Sequence, residues 1–243
     1  MNVKFRERFN GISITDALKS IDFAIFDLDG TIYPRMMLID LVKFEIKKGI
    51  LKDKNKIKLL DVINFKYKNG EFKQAYLLFV ELLKDEDRTE YINSTKLLIK
   101  NSYVYAKLTI EKLLRKYNIK SYLISITSDF ISEVTKDYFC FENTFSIKYN
   151  YLFDENKYIF TGETSSLIDN PQDMKFRLYK ELNKNLINKK FIYFFDSIDD
   201  IKVASESHIN VGVNPEASIL NSSLLDYLLI DTNDPWENLY NQL

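Results

Sequence analysis

A run of four apolar residues, Phe23-Ala24-Ile25-Phe26, leads directly into Asp27-Leu28-Asp29-Gly30-Thr31, and this junction constrains the fold more than any other segment. The run is long enough for a buried strand and too short for a helix. Gly30 favours a turn, so the pattern predicts both carboxylates at the carboxyl end of a strand. Open α/β sheets bind ligands at that end. Two carboxylates this close repel one another, so the site calls for a cation beside them or a proton on one of them. A nucleophile paired with an acid, or a pair of metal ligands, are the chemistries implied. A calcium loop is excluded: its glycine stands sixth and a glutamate twelfth, whereas here the glycine is fourth and the twelfth residue is Leu38. An ordinary Asp/Gly turn is the remaining alternative.

From Ser121 onward, strand-like and helix-like segments alternate. Strands are predicted at Tyr122 to Ile126, Thr144 to Tyr149, Tyr158 to Phe160, Phe191 to Phe195, Ile209 to Val213 and Tyr227 to Ile230, with helices at Phe130 to Tyr138 and Met174 to Leu186. Such alternation implies a mostly parallel sheet with helices on both faces. Between Thr31 and about residue 117 the periodicity is helical instead. Helices are predicted over Met36 to Lys48, Asn55 to Lys68, Glu71 to Lys84 and Thr89 to about Lys116, with a break near Asn101. The strand that ends at Asp27 therefore belongs to a sheet from which an all-helical insert separates it in sequence.

With 243 residues, 46% of them hydrophobic, the chain can bury a large core and hold an inserted second domain. Its 34 Lys and Arg nearly balance 35 Asp and Glu, so no overall field favours nucleic acid or an anionic membrane surface. A single cysteine, Cys140, excludes an internal disulfide, and its neighbours Phe139 and Phe141 predict a buried thiol. The first twenty residues lack an apolar export core and no later run is long enough to span a bilayer, which predicts a cytoplasmic protein.

Three further segments carry the residue types that chemistry beside Asp27 would need. Strand Tyr122-Leu123-Ile124 runs into Ser125-Ile126-Thr127-Ser128, which sets hydroxyls and backbone amides near the start of a helix, a favourable place for an anion; simple helix capping is the alternative. Phe191 to Phe195 ends in Asp196-Ser197-Ile198-Asp199-Asp200, three carboxylates suited to a hard divalent cation, although acidic capping would explain one or two of them. Lys175 opens the intervening helix and can act as a compact cation for phosphate, or lie on a solvated face. The lone histidine, His208, is read as structural.

In this order, Phe26-Asp27-Leu28-Asp29-Gly30-Thr31, Leu123-Ile124-Ser125, Lys175 and Asp196-Ser197-Ile198-Asp199-Asp200 resemble the four motifs of the haloacid dehalogenase (HAD) superfamily. The helical insert resembles the cap of its phosphoserine-phosphatase-like branch, as Thr161-Gly162 resembles that branch's hairpin. The resemblance implies a Rossmann-like, doubly wound, mostly parallel core over residues 1–33 and 118–243 and a helical cap domain over residues 34–117. It further implies Asp27 as the nucleophile that forms an aspartyl-phosphate, and Asp29 as the acid that protonates the leaving oxygen and then activates water. Phosphate binding falls to Ser125, Thr127 and Lys175. Magnesium ligation falls to Asp27, Asp29 through its backbone carbonyl, and Asp196, with Asp200 supporting the metal or the lysine.

This chain departs from the branch at Pro34-Arg35-Met36-Met37, where a glutamate that reads the amino group of phosphoserine is usual, and at Ile126-Thr127, where glycines are usual. Both departures point away from phosphoserine. The fourth motif has Phe195 for a usual glycine and Asp199 for a common asparagine. Arg35, Met36 and Met37 are predicted at the rim of the cleft as specificity residues, Arg35 for an anionic group and the methionines for apolar contact. The expectation is a magnesium-dependent phosphatase for a small phosphorylated metabolite. A phosphotransferase using the same intermediate and a catalytically silent module of the same fold are the rivals.

Overall fold

The computed structural model describes residues 6–7, 12–164, 170–184, 186–220 and 222–243. Residues 1–5 and 8–11, part of the segment read as lacking an export signal, lie outside the described residues. The chain opens with β1 (Arg6–Glu7), α1 (Ile14–Leu18) and β2 (Phe23–Phe26). Helices α2 (Met37–Lys48), α3 (Lys54–Lys68), α4 (Phe72–Leu83), α5 (Arg88–Leu98) and α6 (Val104–Tyr117) follow, with a 3₁₀ turn at Ile99–Asn101. Then come β3 (Lys120–Ser128), α7 (Asp129–Phe139), β4 (Asn143–Ile147), β5 (Tyr149–Asp154) and β6 (Lys157–Thr164). The chain ends with α8 (Pro171–Asn183), β7 (Phe191–Phe195), a 3₁₀ turn at Ile198–Asp200, α9 (Ile201–Ala204), β8 (Ile209–Val213), α10 (Ala217–Leu220), β9 (Tyr227–Leu229) and α11 (Glu237–Gln242).

Among the described residues the main sheet has the order β1-β9-β8-β7-β2-β3-β4. Its pairs are parallel except for β1 against β9 at one edge. This is the doubly wound α/β class the alternation predicts. Strands β2 and β7 are buried along their whole length, as expected where helices cover both faces, and their sequences are continuously apolar for that reason. Their rings stack across the pair: Phe26 on Phe194 at 4.7 Å and Phe23 on Phe191 at 5.2 Å between centroids. From β2 the strand order runs outward through β3 and β4 on one side, and the chain then crosses back to β7, β8 and β9 on the other. The carboxyl end of β2 is therefore the switch point where such sheets open a crevice.

The helical insert forms where its periodicity places it. Gly49 closes α2 in the left-handed conformation (φ 71°), and Asp53 and Asp87 cap α3 and α5 by accepting the backbone N–H of Asn55 and Thr89. The predicted break falls at Ile99–Asn101, after which the Tyr103 N–H donates to the Ile32 carbonyl. Helix α6 then packs on β3 and on the C-terminal α11, where Lys112 Nζ bonds the Tyr240 carbonyl at 2.9 Å.

Two expectations need correction. The strand predicted at Tyr158 to Phe160 forms within β6, but it lies outside the main sheet: β6 pairs antiparallel with β5 in a separate two-stranded ribbon, the hairpin that Thr161-Gly162 resembles. Its turn residues Glu155 and Asn156 both have positive φ, the geometry that suits a two-residue hairpin. The ribbon is tied to the helical insert: the Asp85 N–H donates to the Phe160 carbonyl and the Phe160 N–H to the Glu86 carbonyl. Cys140 is exposed, because α7 ends on it in a left-handed turn that aims its thiol outward while Phe139 and Phe141 are buried. No helix of the described residues is long and apolar enough to cross a membrane.

Candidate active site

Strand β2 delivers Asp27 to the switch point, and its N–H is held by the Phe194 carbonyl at 3.0 Å. The chain then turns tightly: the N–H groups of Thr31, Ile32 and Tyr33 all converge on the Leu28 carbonyl. Buried Trp236, near the C-terminus, clamps this turn by donating Nε1–H to the Thr31 carbonyl at 3.0 Å, and its ring lies against Phe26 and Phe194. Gly30 adopts φ 80°, and a Cβ there would lie 1.9 Å from Asp196 Oδ2. Conformation and space both require glycine, so the first and fourth motifs are in direct contact.

Asp27 is 3% exposed. Its Oδ1 lies 2.8 Å from Lys175 Nζ, which lies 2.6 Å from Asp200 Oδ1. Lys175 reaches this position because Asn170 caps α8 and Pro171 begins it, so the helix opens over the carboxyl ends of the strands. Asp200 accepts further hydrogen bonds from the Tyr193 hydroxyl and from Ser197 Oγ. Its oxygens are therefore engaged mainly in anchoring the lysine. Asp29 accepts the Met37 N–H on Oδ1 at 2.8 Å, which fixes the carboxyl group where it lines the cavity.

Burial raises the Asp27 carboxyl to about 7; Lys175 opposes the rise and Asp200 adds to it. Burial likewise raises Asp29 to about 6, against the stabilising Met37 N–H. Asp196 is pushed well above the usual carboxylate range by burial and by Asp27. Burial pulls Lys175 down, but Asp200 and Asp27 outweigh it and keep the ammonium charged. Three carboxylates that resist ionisation side by side are a cluster short of positive charge. Carboxylate oxygens of Asp27, Asp196 and Asp200 lie within 4.8 Å of one another, an all-oxygen set that fits a hard divalent cation.

A cavity of about 380 Å³ opens above this cluster. Asp27, Asp29, Ser125, Lys175 and Asp196 line it together with Met36. Four other predicted residues do not line it: Asp200, which anchors Lys175 instead, and Thr127, Arg35 and Met37. Thr127, two residues beyond Ser125 toward the carboxyl end of β3, is buried and its hydroxyl finds no partner among the described residues. Arg35 is exposed and ion-paired to Asp40 at 2.7 Å, a partner five residues along the chain that captures it before the cleft can. Met37 is fully buried at the start of α2, where it serves Asp29 through its backbone. Phe195 stacks on Tyr193 in the core, whereas Asp199 lines the cavity.

Sequence reasoning missed Tyr193, Glu216, Tyr67 and the aromatic residues of α4. Glu216 reaches the site through a loop after β8, where its N–H bonds the Asp196 carbonyl, and lines the cavity. Tyr193 lies inside an unbroken apolar strand, and nothing local distinguishes its hydroxyl. Helical spacing marks Tyr76 and Phe79 only as packing residues.

No protein-family model matches the sequence, and comparison with curated proteins finds no match. Solved structures do match. A HAD family hydrolase from Salmonella enterica serovar Typhi is 14% identical, with a TM-score of 0.68 over 90% of this chain and 69% of that one. A phosphoserine phosphatase, in a form described as a phospho-aspartyl intermediate analogue, is 15% identical, with a TM-score of 0.67 over 91% and 99% of the two chains. A phosphoserine phosphohydrolase-like protein from Francisella tularensis is 18% identical, with a TM-score of 0.60 over 86% and 94%. The fold is thus that of the HAD hydrolases. Within that class its architecture matches that of the phosphoserine phosphatases among these structures.

Proposed function

We propose that this protein is a magnesium-dependent phosphatase that hydrolyses a small phosphomonoester through an aspartyl-phosphate on Asp27. The observation that carries the reading is the buried Asp27–Lys175–Asp200 chain at the switch point, with Asp29 and Ser125 facing the same cavity. A buried carboxylate held against an ammonium is available as a nucleophile, and attack by it divides one difficult displacement into two easier ones. Asp29, held near neutrality by burial, can donate a proton to the leaving oxygen and then take one from water. Lys175 offsets charge on the transferring oxygens, and the Ser125 hydroxyl is positioned to donate to one of them. When bound, magnesium would be held by Asp27 and Asp196, beside Asp200 and with the Asp29 carbonyl by resemblance, and would supply charge neutralisation for the phosphoryl group.

The helices of residues 34–117 act in this reading as the cap that closes the cavity and selects the substrate. The partner is a small metabolite rather than nucleic acid or membrane, consistent with the balanced charge, and the single cysteine suits the cytoplasm. Phosphate release from p-nitrophenyl phosphate tests the proposal. Release should require magnesium, stop with excess chelator and be lost in Asp27→Asn; undiminished release under chelation would refute the metal requirement.

A further inference from the structure

Resting on the phosphatase reading, the cavity also speaks about the other half of the substrate. Its floor is the charged cluster at the strand ends. Its walls are apolar: Met36 and Leu38 follow the first motif, Tyr67 comes from α3, and Phe72, Tyr76 and Phe79 come from α4. Among the described residues the helices contribute no charged side chain to this wall. Lys175 is the one cation lining the cavity among them, and Asp27 and Asp200 already engage it. The other charged lining groups, Asp29, Asp196, Asp199 and Glu216, are all acidic and stand on the core side. Arg35, the cation nearest in sequence, is committed to Asp40 outside the cavity.

Lys175 and a cation at Asp27 and Asp196 serve the transferring phosphoryl group, so a carboxylate or second phosphate on the leaving alcohol would be desolvated near Asp199 and Glu216 with no basic side chain to pair it, an arrangement that costs far more than it returns. An apolar group meets aromatic and thioether surface that is otherwise hydrated in the open cavity. We propose that the natural substrate is a phosphomonoester of an uncharged alcohol carrying an apolar group, aliphatic or aromatic, rather than a phosphorylated amino acid or a sugar acid. The cavity, at about 380 Å³, is at the small end of ligand sites, so one ring or a short chain fills it.

The test uses the full chain with magnesium and a series of primary alkyl phosphates, whose leaving groups have closely similar basicity, so that chemistry is held constant while apolar area grows. Ethyl, n-butyl and 3-phenylpropyl phosphate are compared with O-phosphoserine and phosphoethanolamine, and phenyl phosphate serves as the check on turnover. The expected kcat/KM rises about three- to fourfold per added methylene, hence roughly tenfold from ethyl to butyl, with phosphoserine at least tenfold below butyl. Tyr67→Ala, whose ring is partly exposed and so is a mild perturbation of the fold, should shrink the butyl-over-ethyl ratio, while Tyr67→Phe preserves it. Hydrolysis of phenyl phosphate with a flat alkyl series, or with phosphoserine preferred, would overturn the substrate assignment alone. Preference for phosphoethanolamine would overturn it in favour of a cationic alcohol read by Asp199 and Glu216. No turnover of any ester would remove the phosphatase reading and the assignment together.

Discussion

At Gly30 a side chain has neither a conformation nor a place to go, since φ is 80° and Asp196 occupies the space a Cβ would take. Gly30→Ala should destabilise the fold by about 1–3 kcal/mol in chemical denaturation, from left-handed strain plus overpacking. By displacing Asp196 it should also lower kcat more than stability alone explains. The two aspartates of the motif have separable duties. Asp29→Asn keeps the hydrogen bond from Met37 but removes the proton carrier, so turnover of a substrate with a good leaving group should fall by about 10²–10⁴-fold. The phosphorylated enzyme should then accumulate, because the second step still needs a base; equal loss in both steps, read by quenched-flow, would contradict this division.

At the scale of elements, the segments that carry chemistry were legible because each breaks a pattern. Asp27 and Asp196 end apolar runs that only buried strands explain, and Gly49 and Asn101 interrupt helical periodicity where α2 ends and where α5 gives way to α6. What was hidden depends on tertiary contact. The β5–β6 ribbon looks like sheet strand locally, and only its pairing with residues 85–87 assigns it to the helical layer. Arg35 failed to reach the cleft because a nearer carboxylate holds it, and Glu216 succeeded because a loop folds back on Asp196. The ribbon's turn offers a test of the local geometry. Glu155 sits at φ 42° and Asn156 at φ 65°, and asparagine tolerates that region better than glutamate. Glu155→Asn should raise stability by about 0.5–1 kcal/mol, read as an increase in Tm without change in activity.

For the whole molecule, the raised carboxyls make stability depend on pH and cation together. Asp27 at about 7 and Asp29 at about 6 bind protons more tightly folded than unfolded, where carboxyls titrate near 4, and Asp196 shifts in the same direction. The folded state thus holds more protons between about pH 4 and 7, and stability falls as pH rises through that window. The elevated ammonium of Lys175 titrates well above it and leaves the slope unchanged. Without magnesium, Tm should therefore fall from pH 5 to pH 7.5. Magnesium should raise Tm more at pH 7.5 than at pH 5, where protons compete for the same carboxylates. A magnesium shift that is larger at pH 5 would place the cation elsewhere.

The claim that Asp27 is the nucleophile is tested most directly by finding where phosphorus is held during turnover. The full chain is mixed with magnesium and a phosphate ester, quenched in acid, digested and mapped by mass spectrometry. The expected result is one phosphoryl group on the peptide containing Asp27, released by hydroxylamine as an acyl phosphate should be, and absent from Asp27→Asn. A phosphoryl group on any other residue, or unchanged turnover by Asp27→Asn, would contradict it.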